Sequence, residues 1–295
     1  MAEHIKVPSN LTVLPSAPYP PYSKVGNMES VFMVWYYQNR DRLKDCGRIY
    51  IPINWTGVYV NRRHGLGDLS DVQKFLDGLD RSKKYFTVVQ FVRGIINDIK
   101  DLDIVVCGTS TRQFFEDKPI DVPCNPDVII PLNPVTFPQR HPVERDILAS
   151  FVGNFMSDRG MCRNKLKILQ NKEGFYIRSL TSADEFIKIM ERTKFCIAPR
   201  GYGPTSFRLS ESFYFGCVPV YIWKHVITLP FEDKIEWNKC VIFIEDSDDV
   251  DVEKVIRDNE HRFDEMVSYG NKILNELLIH DRWPEHIYGS LINKM

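Results

Sequence analysis

The chain alternates short apolar runs with polar stretches of helical length. In the first half the apolar runs are VFMVWYY at 31–37, RIYIPI, YFTVVQFV, DIVVCG and DVIIPL at 127–132. Apolar runs of roughly four to eight residues, separated by helix-compatible segments, are typical of buried strands in a parallel sheet. The first half is therefore predicted to form an α/β domain, with a strand at each of these runs.

Five prolines interrupt this pattern between residues 126 and 142. Such a segment is typical of a connector between domains. The later runs LASFVGNF, GFYIRSL, KFCIAP, VPVYIW and VIFIE predict a second parallel sheet, with helices at 182–192 and 206–215. We therefore place the domains at 1–145 and 146–271, and expect a C-terminal helix at about 272–295 that can pack back onto the first domain.

The segment from Pro8 to Tyr22 differs from the rest of the first half. It holds five prolines and shows no helical period. Because proline fixes the backbone and removes a hydrogen-bond donor, the segment is expected to be an extended arm at the protein surface.

Composition limits the classes of function. The 295 residues include 38 basic and 39 acidic side chains, and the net charge of -1 gives no electrostatic reason to bind nucleic acid. No run reaches the roughly 18 apolar residues of a membrane span, and the polar N-terminus lacks the apolar core of a signal peptide. We therefore expect a soluble, cytoplasmic protein without a membrane span, located in the host cytoplasm if it is viral.

The cysteines and histidines do not suggest a metal centre. The seven cysteines lie far apart, mostly in apolar runs, which favours buried free thiols in a reducing compartment. There is no CxxC pair and no HExxH motif, so no metal site is expected. Asp101 and Asp103 form a DxD triplet, but they precede a strand and are interpreted as part of a solvated turn.

The stretch from Lys194 to Trp223 is the most informative for chemistry. It predicts a strand, a glycine-rich turn, a helix and a second strand, and ligands of such units bind where the turn meets the helix. Gly201 lies in the turn, and the helix begins near Ser206, where backbone N–H groups and the helix dipole favour a diphosphate. Arg200 and Arg208 flank this position, and two guanidinium groups can bind phosphate oxygens without a metal.

Glu211 lies one helical turn beyond Arg208, and it is expected to accept hydrogen bonds from ribose hydroxyls. The same two residues also fit an ordinary exposed ion pair, and a GxG turn alone is a weak signal. The residues by themselves leave both interpretations open.

A longer pattern resembles the exostosin family, glycosyltransferase family 47. In the donor-binding half of that family, a strand ends in a PRG-like turn and is followed by S-x-R-x-x-E and then GC-x-PV. This chain has APRG at 198–201, SFRLSE at 206–211 and GCVPV at 216–220. Fainter similarities extend the resemblance over roughly residues 125–246; they are DVIIP at 127–131, FVGN at 151–154, LPF at 229–231 and IEW at 235–237.

The resemblance implies a GT-B fold, in which two Rossmann-like domains face a central cleft. It also implies an inverting, metal-independent glycosyltransferase without a cofactor, which moves a sugar from a UDP-sugar to a hydroxyl of an oligosaccharide or glycoprotein glycan. The compact, unanchored chain is similar to enzymes of algal viruses of the chlorovirus type, which favours a xylosyltransferase using UDP-xylose. Arg159, Arg163 and Arg178 follow family strands and are then expected in the donor site, although the first two also fit solvated helix charges.

An inverting transferase needs a base to take the proton of the acceptor hydroxyl. The resemblance places this base in the first domain, where the loop at 61–71 holds two glycines and the candidates Asp68, Asp71 and His64. We favour Asp68, with Asp71 and His64 as alternatives. Asp68 also fits the cap of a helix that begins at Leu69.

Trp55 is the candidate for binding the acceptor. It follows the run RIYIPI, at a position where a strand end would face the cleft, and an indole ring can stack on a sugar. Large aromatic side chains near strand ends also commonly belong to the core.

Other functional classes fit the sequence less well. A phosphorylase would need a pyridoxal lysine, and no lysine here has a distinctive setting. An epimerase can share the same architecture, because a fold does not fix the chemistry. A dinucleotide-binding oxidoreductase would need GxGxxG after the first strand, which the N-terminal half lacks. A catalytically inactive carbohydrate- or nucleotide-binding protein of the same fold is the main alternative.

Overall fold

The computed structural model describes residues 3–110, 126–155, 166–179, 182–201, 203–247, 249–279 and 281–293, together with the backbone of 113–115 and 118–120. Within these ranges the chain forms two parallel sheets covered by helices. The prediction of a two-domain α/β fold is therefore confirmed.

The first sheet is made by residues before the proline-rich connector. Its strands pair in parallel in the order β1-β2-β3-β6, and β4 and β5 form a separate antiparallel pair. The strands are β1 (Ile49–Tyr50), β2 (Lys84–Val89), β3 (Asp103–Gly108), β4 (Gln113–Phe115), β5 (Lys118–Ile120) and β6 (Val128–Ile129). The helices are α1 (Met28–Asn39), α2 (Trp55–Asn61) and α3 (Ser70–Asp77), with 3-10 turns at Ser9–Leu11 and Arg63–Gly65.

The strand predicted at residues 31–37 is wrong, because this run lies inside α1. Asn27 and Ser30 form a reciprocal capping box that starts the helix, with bonds of 3.0 Å and 2.9 Å between side chain and backbone. The buried apolar positions follow a helical spacing, and they are Met28, Phe32, Trp35 and Tyr36. The run resembles a buried strand in sequence because the exposed positions of the helix are apolar as well.

The second sheet is parallel throughout, and its strands lie in the order β11-β10-β9-β7-β8. They are β7 (Ile147–Val152), β8 (Phe175–Arg178), β9 (Thr193–Pro199), β10 (Val218–Trp223) and β11 (Ile242–Glu245). All five coincide with predicted apolar runs, which are confirmed. The helices are α4 (Ala183–Arg192), α5 (Phe207–Tyr214), α6 (Val252–Asp258), α7 (Phe263–Ile273) and α8 (Trp283–Asn293). Short turns occur at Leu166–Asn171, Trp237–Lys239 and Glu260–Arg262, and a π-helical segment at Leu274–Leu278.

The C-terminal segment contacts the first domain. The buried indole ring of Trp283 lies 5.9 Å from the ring of Phe32 in α1, and the Tyr288 hydroxyl donates a 2.8 Å hydrogen bond to the backbone oxygen of Lys44. One continuous hydrophobic cluster consequently includes side chains from α1, from both sheets and from α8. The two sheets are thus fixed to each other through shared core packing.

The remaining sequence expectations about the fold concern cysteines and membranes. The five cysteines in the described part of the chain are free and buried, as predicted; they are Cys46, Cys107, Cys196, Cys217 and Cys240. Cys124 and Cys162 lie outside it. No helix in the described ranges is long and apolar enough to cross a membrane.

Candidate active site

The second sheet has a topological switch point between β7 and β9. From β7 the chain continues on one side to β8, whereas β9 pairs with the other side of β7. Ligands of open α/β sheets bind outside the carboxyl ends of the strands at such a point. Here these ends carry Val152, Arg178 and Pro199, so the crevice between β7 and β9 is the position that the topology assigns to a ligand.

The turn after β9 leads directly into α5. Gly201 donates a 3.0 Å hydrogen bond to the backbone oxygen of Thr205, and a Cβ atom on Gly201 would lie 2.9 Å from that same oxygen, so the tight turn requires glycine. Ser206 caps the helix by accepting a 3.3 Å hydrogen bond from the Arg208 amide. The N-terminus of α5 therefore points its positive end at the crevice.

Two further arginines flank this crevice. Arg200 follows the last residue of β9 and is partly exposed. Arg178 ends β8, is exposed, and holds its guanidinium 5.5 Å from the ring centre of Tyr176. The structure therefore brings Arg178, Arg200, Gly201, Ser206 and Arg208 to one edge of the sheet. Arg159 and Arg163 lie outside the described residues.

Arg208 is held in place on several sides. Its guanidinium forms an ion pair with Glu211, donates a 2.7 Å hydrogen bond to the backbone oxygen of Val152, and lies 4.4 Å from the ring centre of Phe186. The bond to Val152 connects α5 to the end of β7 across the switch point. Burial opposes the charged form, but the Glu211 carboxylate and the other groups around the guanidinium together raise the pKa of Arg208. Arg208 is therefore a fixed cation at the crevice.

Glu211 has a different role from the one expected. The residue is 0% exposed, and its two carboxylate oxygens bind Arg208 and the hydroxyl of Tyr22. It is not available to ribose hydroxyls, so that expectation is corrected. Glu211 instead supports the arginine, because its buried carboxylate pairs with the guanidinium and is itself held by the Tyr22 hydroxyl.

The first domain closes the site from the other side. A Cβ atom on Gly203, in the turn before α5, would lie 2.6 Å from both the Ser110 hydroxyl and a methyl group of Val92. Ser110 follows β3 and Val92 follows β2, so the carboxyl ends of the first sheet face the turn of the second domain. The Ser110 hydroxyl is buried and has no hydrogen-bond partner among the described residues.

The predicted catalytic loop lies on the same side of the first sheet. A Cβ atom on Gly65 would lie 2.3 Å from Ile96, and Ile96 belongs to the segment after β2 that also carries Val92. Asp71 binds Arg62 through both carboxylate oxygens, and this hydrogen bonding lowers the pKa of Asp71. Asp71 therefore has little capacity left to accept a proton from a substrate.

Asp68 and His64 are less constrained than Asp71. One Asp68 oxygen accepts a 2.9 Å hydrogen bond from the Ser70 amide, which lowers the pKa of Asp68. His64 has a left-handed backbone with φ of 56°, and its imidazole is exposed. The helix begins at Ser70, one residue later than expected, and Asp68 binds its first amide.

Trp55 is not a platform for sugars. Its side chain is 0% exposed, its indole N–H donates a 2.9 Å hydrogen bond to Thr87, and its ring packs 5.9 Å from that of Tyr59. The expectation of an acceptor site is wrong because Asn54 caps a helix that begins at Trp55 itself. The helix turns the indole into the core instead of toward the cleft.

Comparison with known families agrees with this geometry. A sequence profile of the exostosin GT47 domain matches residues 102–258, more than half of the chain. The match runs from the start of β3 to the end of α6 and so includes the whole second sheet with its switch point. The chain belongs to the exostosin GT47 family. Together with the two parallel sheets, this membership supports the expected GT-B architecture.

Individual relatives match only parts of this GT47 chain. A probable glycosyltransferase of Arabidopsis thaliana is 28% identical over 142 residues, which cover 48% of this chain and 30% of the relative. Probable glucuronosyltransferase 47 A of Physcomitrium patens is 42% identical over 67 residues, 23% of this chain and 15% of that protein. Probable beta-1,4-xylosyltransferase IRX10 of Arabidopsis thaliana is 37% identical over 67 residues, 23% of this chain and 16% of the relative. These matches span less than a third of the length of each relative.

Similarity to solved structures is weaker. The glycosyltransferase AviGT4, involved in avilamycin A biosynthesis, aligns over 94% of this chain and 92% of its own, but with 9% identity and a TM-score of 0.46.

One buried acid of the GT47 chain is missing from the sequence-based candidates. Glu29, in the first turn of α1, is fully buried, and its Oε1 accepts hydrogen bonds from the Thr56 amide at 2.9 Å and the Gln90 amide at 3.0 Å. Its Oε2 has no partner among the described residues. The signal was available, since Glu29 is the one charged residue in the mostly apolar stretch MESVFMVWYY. Glu29 ties α1 to the first turn of α2 and to the end of β2.

This burial predicts a pH dependence of stability. Desolvation raises the pKa of Glu29, so between its ordinary value of about 4.3 and the raised value the folded state binds more protons than the unfolded state. The free energy of unfolding that Glu29 contributes therefore falls as pH rises through this window. We expect wild type to gain stability relative to a Glu29→Gln variant when the pH is lowered from 7 to 5, as measured by urea unfolding. An unchanged difference between the two proteins would show that Glu29 does not titrate there.

A separate groove of about 1060 Å³ lies along the β10–β11 edge of the second sheet, away from the switch point. Its lining includes Trp223, Glu236, Lys239, Phe243 and Arg262. No sequence signal singled out this groove, and it provides a defined second location against which ligand binding at the switch point can be tested.

Proposed function

We propose that this chain is an inverting, metal-independent glycosyltransferase that moves a sugar from a UDP-sugar to a hydroxyl of a glycan acceptor. The observation that carries the proposal is the fixed Arg208 at the switch point, beside the N-terminus of α5 and inside the GT47 match. This arrangement suits a diphosphate, because charge-assisted hydrogen bonds and a helix N-terminus favour the same anion.

The proposed reaction uses both faces of the cleft. As the bond from the anomeric carbon to the diphosphate breaks, Arg208, Arg200 and the α5 amides stabilise the negative charge on the leaving UDP. The acceptor oxygen attacks the opposite face of the sugar, and a base on the first domain takes its proton. Asp68 is our candidate for that base because its carboxylate is exposed, whereas Arg62 binds both oxygens of Asp71; His64 is the first alternative and Asp71 the second.

UDP-xylose is the proposed donor, and UDP-glucuronate is the second candidate. The names of the relatives support both, since one is a probable xylosyltransferase and another a probable glucuronosyltransferase. The two sugars differ at C5, where glucuronate carries a carboxylate and xylose carries only hydrogen. A site for glucuronate therefore needs a cation for this carboxylate, whereas a site for xylose does not.

Hydrolysis of donors in the absence of acceptor tests the proposal. The purified protein is incubated with UDP-xylose, UDP-glucuronate, UDP-glucose, UDP-N-acetylglucosamine and GDP-mannose, with EDTA or with Mg²⁺, and nucleotide release is measured. We expect release from UDP-xylose that is equal in both conditions and is lost in an Arg208→Lys variant.

The other outcomes are equally specific. Release from UDP-glucuronate alone would replace xylose by the second candidate, and release only with Mg²⁺ would contradict metal independence. If no donor is hydrolysed and none raises the melting temperature, the chain is instead an inactive member of the fold.

A further inference from the structure

The N-terminal proline-rich segment reaches into the second domain. The ring of Tyr22 stacks on Phe186 of α4 at 5.7 Å between ring centres and an interplanar angle of 6°. The ring of Tyr19 contacts Phe207, the first residue of α5, at 5.2 Å. A segment that precedes the first sheet in the chain therefore lies against the helix that forms the donor site.

Hydrogen bonds fix this segment on the connector between the domains. The Lys24 amide donates to the Thr136 hydroxyl at 3.0 Å, and the Thr136 amide donates to the Ser23 hydroxyl at 3.0 Å. Immediately beyond, Asn27 starts α1. The position of Tyr22 is thus determined by contacts on both sides, and a loosely attached tail would not have them.

The Tyr22 hydroxyl completes the coordination of Glu211. It donates to one carboxylate oxygen, while the other oxygen pairs with Arg208. Burial and the neighbouring Glu211 charge both raise the pKa of Tyr22, so the hydroxyl keeps its proton and acts as a donor. Without it, one oxygen of a fully buried carboxylate would lack a partner, which is unfavourable for a charged group.

The consequence for Arg208 follows from the geometry of its guanidinium. Of its five N–H groups, one is bound by Glu211 and one by Val152, which leaves three without a hydrogen-bond partner among the described residues. Glu211 determines the orientation of the plane, and Tyr22 determines which carboxylate oxygen Arg208 meets. The remaining N–H groups are then held ready for phosphate oxygens.

We propose that Tyr22 is a positioning residue of the donor site, which acts through Glu211 to orient Arg208 toward the donor diphosphate. The inference rests on the proposed function, since it assumes that Arg208 binds the diphosphate. It assigns the proline-rich segment a part in donor binding, in addition to its structural contacts.

The test measures UDP affinity of the full chain by calorimetry, and donor and acceptor KM by kinetics. Tyr22→Phe keeps the ring on Phe186 and removes only the hydroxyl. We expect UDP to bind about tenfold more weakly, the loss typical when a charged group lacks one hydrogen bond, and the donor KM to rise while the acceptor KM is unchanged. Glu211→Gln is also expected to weaken UDP binding. If Tyr22→Phe does not fold, this variant still tests whether Glu211 connects Tyr22 to Arg208.

Tyr85→Phe is the matched control. The Tyr85 hydroxyl donates a 3.0 Å hydrogen bond to the backbone oxygen of Asp80, in the first domain and away from the site. This variant loses an equivalent tyrosine hydroxyl, and we expect its UDP affinity to equal that of wild type. A similar loss of UDP affinity in Tyr85→Phe would attribute the effect to general destabilisation and overturn the inference.

An Arg208→Lys variant separates this inference from the proposed function. If Arg208→Lys weakens UDP binding but Tyr22→Phe and Glu211→Gln do not, the positioning role is wrong and the donor site stands. If Arg208→Lys binds UDP as wild type does, the donor site and the positioning role both fail.

Discussion

Replacing Arg208 with lysine is expected to lower kcat/KM for the donor by about 10²- to 10³-fold. Lysine keeps the positive charge but cannot bind Glu211, Val152 and a phosphate with one planar group. The substitution is expected to destabilise the transition state more than the bound donor, because the charge on the leaving diphosphate develops in the transition state. Steady-state kinetics with the donor identified by hydrolysis would measure the effect.

A double variant separates this loss from a loss of stability. Arg208→Met leaves Glu211 as an unpaired buried carboxylate, which is expected to destabilise the protein by about 3–5 kcal/mol. Replacing both residues, Arg208→Met with Glu211→Leu, removes the charge and its partner together and is expected to recover most of that stability. Activity should not recover. A double variant that is both stable and active would show that Arg208 is structural.

Replacing Asp68 with asparagine is expected to lower kcat by about 10²- to 10⁴-fold, the usual contribution of a general base. The amide has similar size and can still accept the hydrogen bond from Ser70, so the fold and the donor KM should change little. Because the Ser70 hydrogen bond lowers the pKa of Asp68, the active ionised form persists to acidic pH. The acid limb of the pH profile should therefore lie below the ordinary pKa of an aspartate side chain.

Asp71→Asn provides the control in the same loop. Asp71 pairs with Arg62 near the surface, so its loss should affect stability by less than about 1 kcal/mol and activity only slightly. If Asp68→Asn keeps full activity while Asp71→Asn or His64→Gln loses it, the assignment of the base to Asp68 is wrong.

The sequence was sufficient to predict the second sheet, because each of its strands is a compact apolar run between helices. The spacing of apolar residues did not predict α1 as a helix, because apolar residues also occupy its exposed positions, such as Val34. An amphipathic helix shows its period only if its outer face is polar. The capping pair Asn27 and Ser30 was the better signal there.

The sequence placed Arg200, Arg208 and Glu211 around the start of one helix, but it did not predict the side chains that they contact. The spacing of Arg208 and Glu211 places them on one helix face, yet it does not tell whether that face meets solvent or core. The structure shows that it meets Tyr22, which is 189 residues distant in sequence from Glu211. The prediction that Trp55 binds the acceptor was wrong for a related reason. The sequence did not show that a helix begins at Trp55, and this helix turns the ring into the core.

The most direct test of the donor-site location is hydrogen exchange of the full chain with and without UDP. With UDP bound at the switch point, we expect protection in peptides that cover 199–201 and 203–214, together with the ends of β7 and β8, and smaller changes near Ser110 across the cleft. Protection along the groove lined by Trp223 and Phe243, with none at the start of α5, would contradict this expectation and place the nucleotide elsewhere on the second domain.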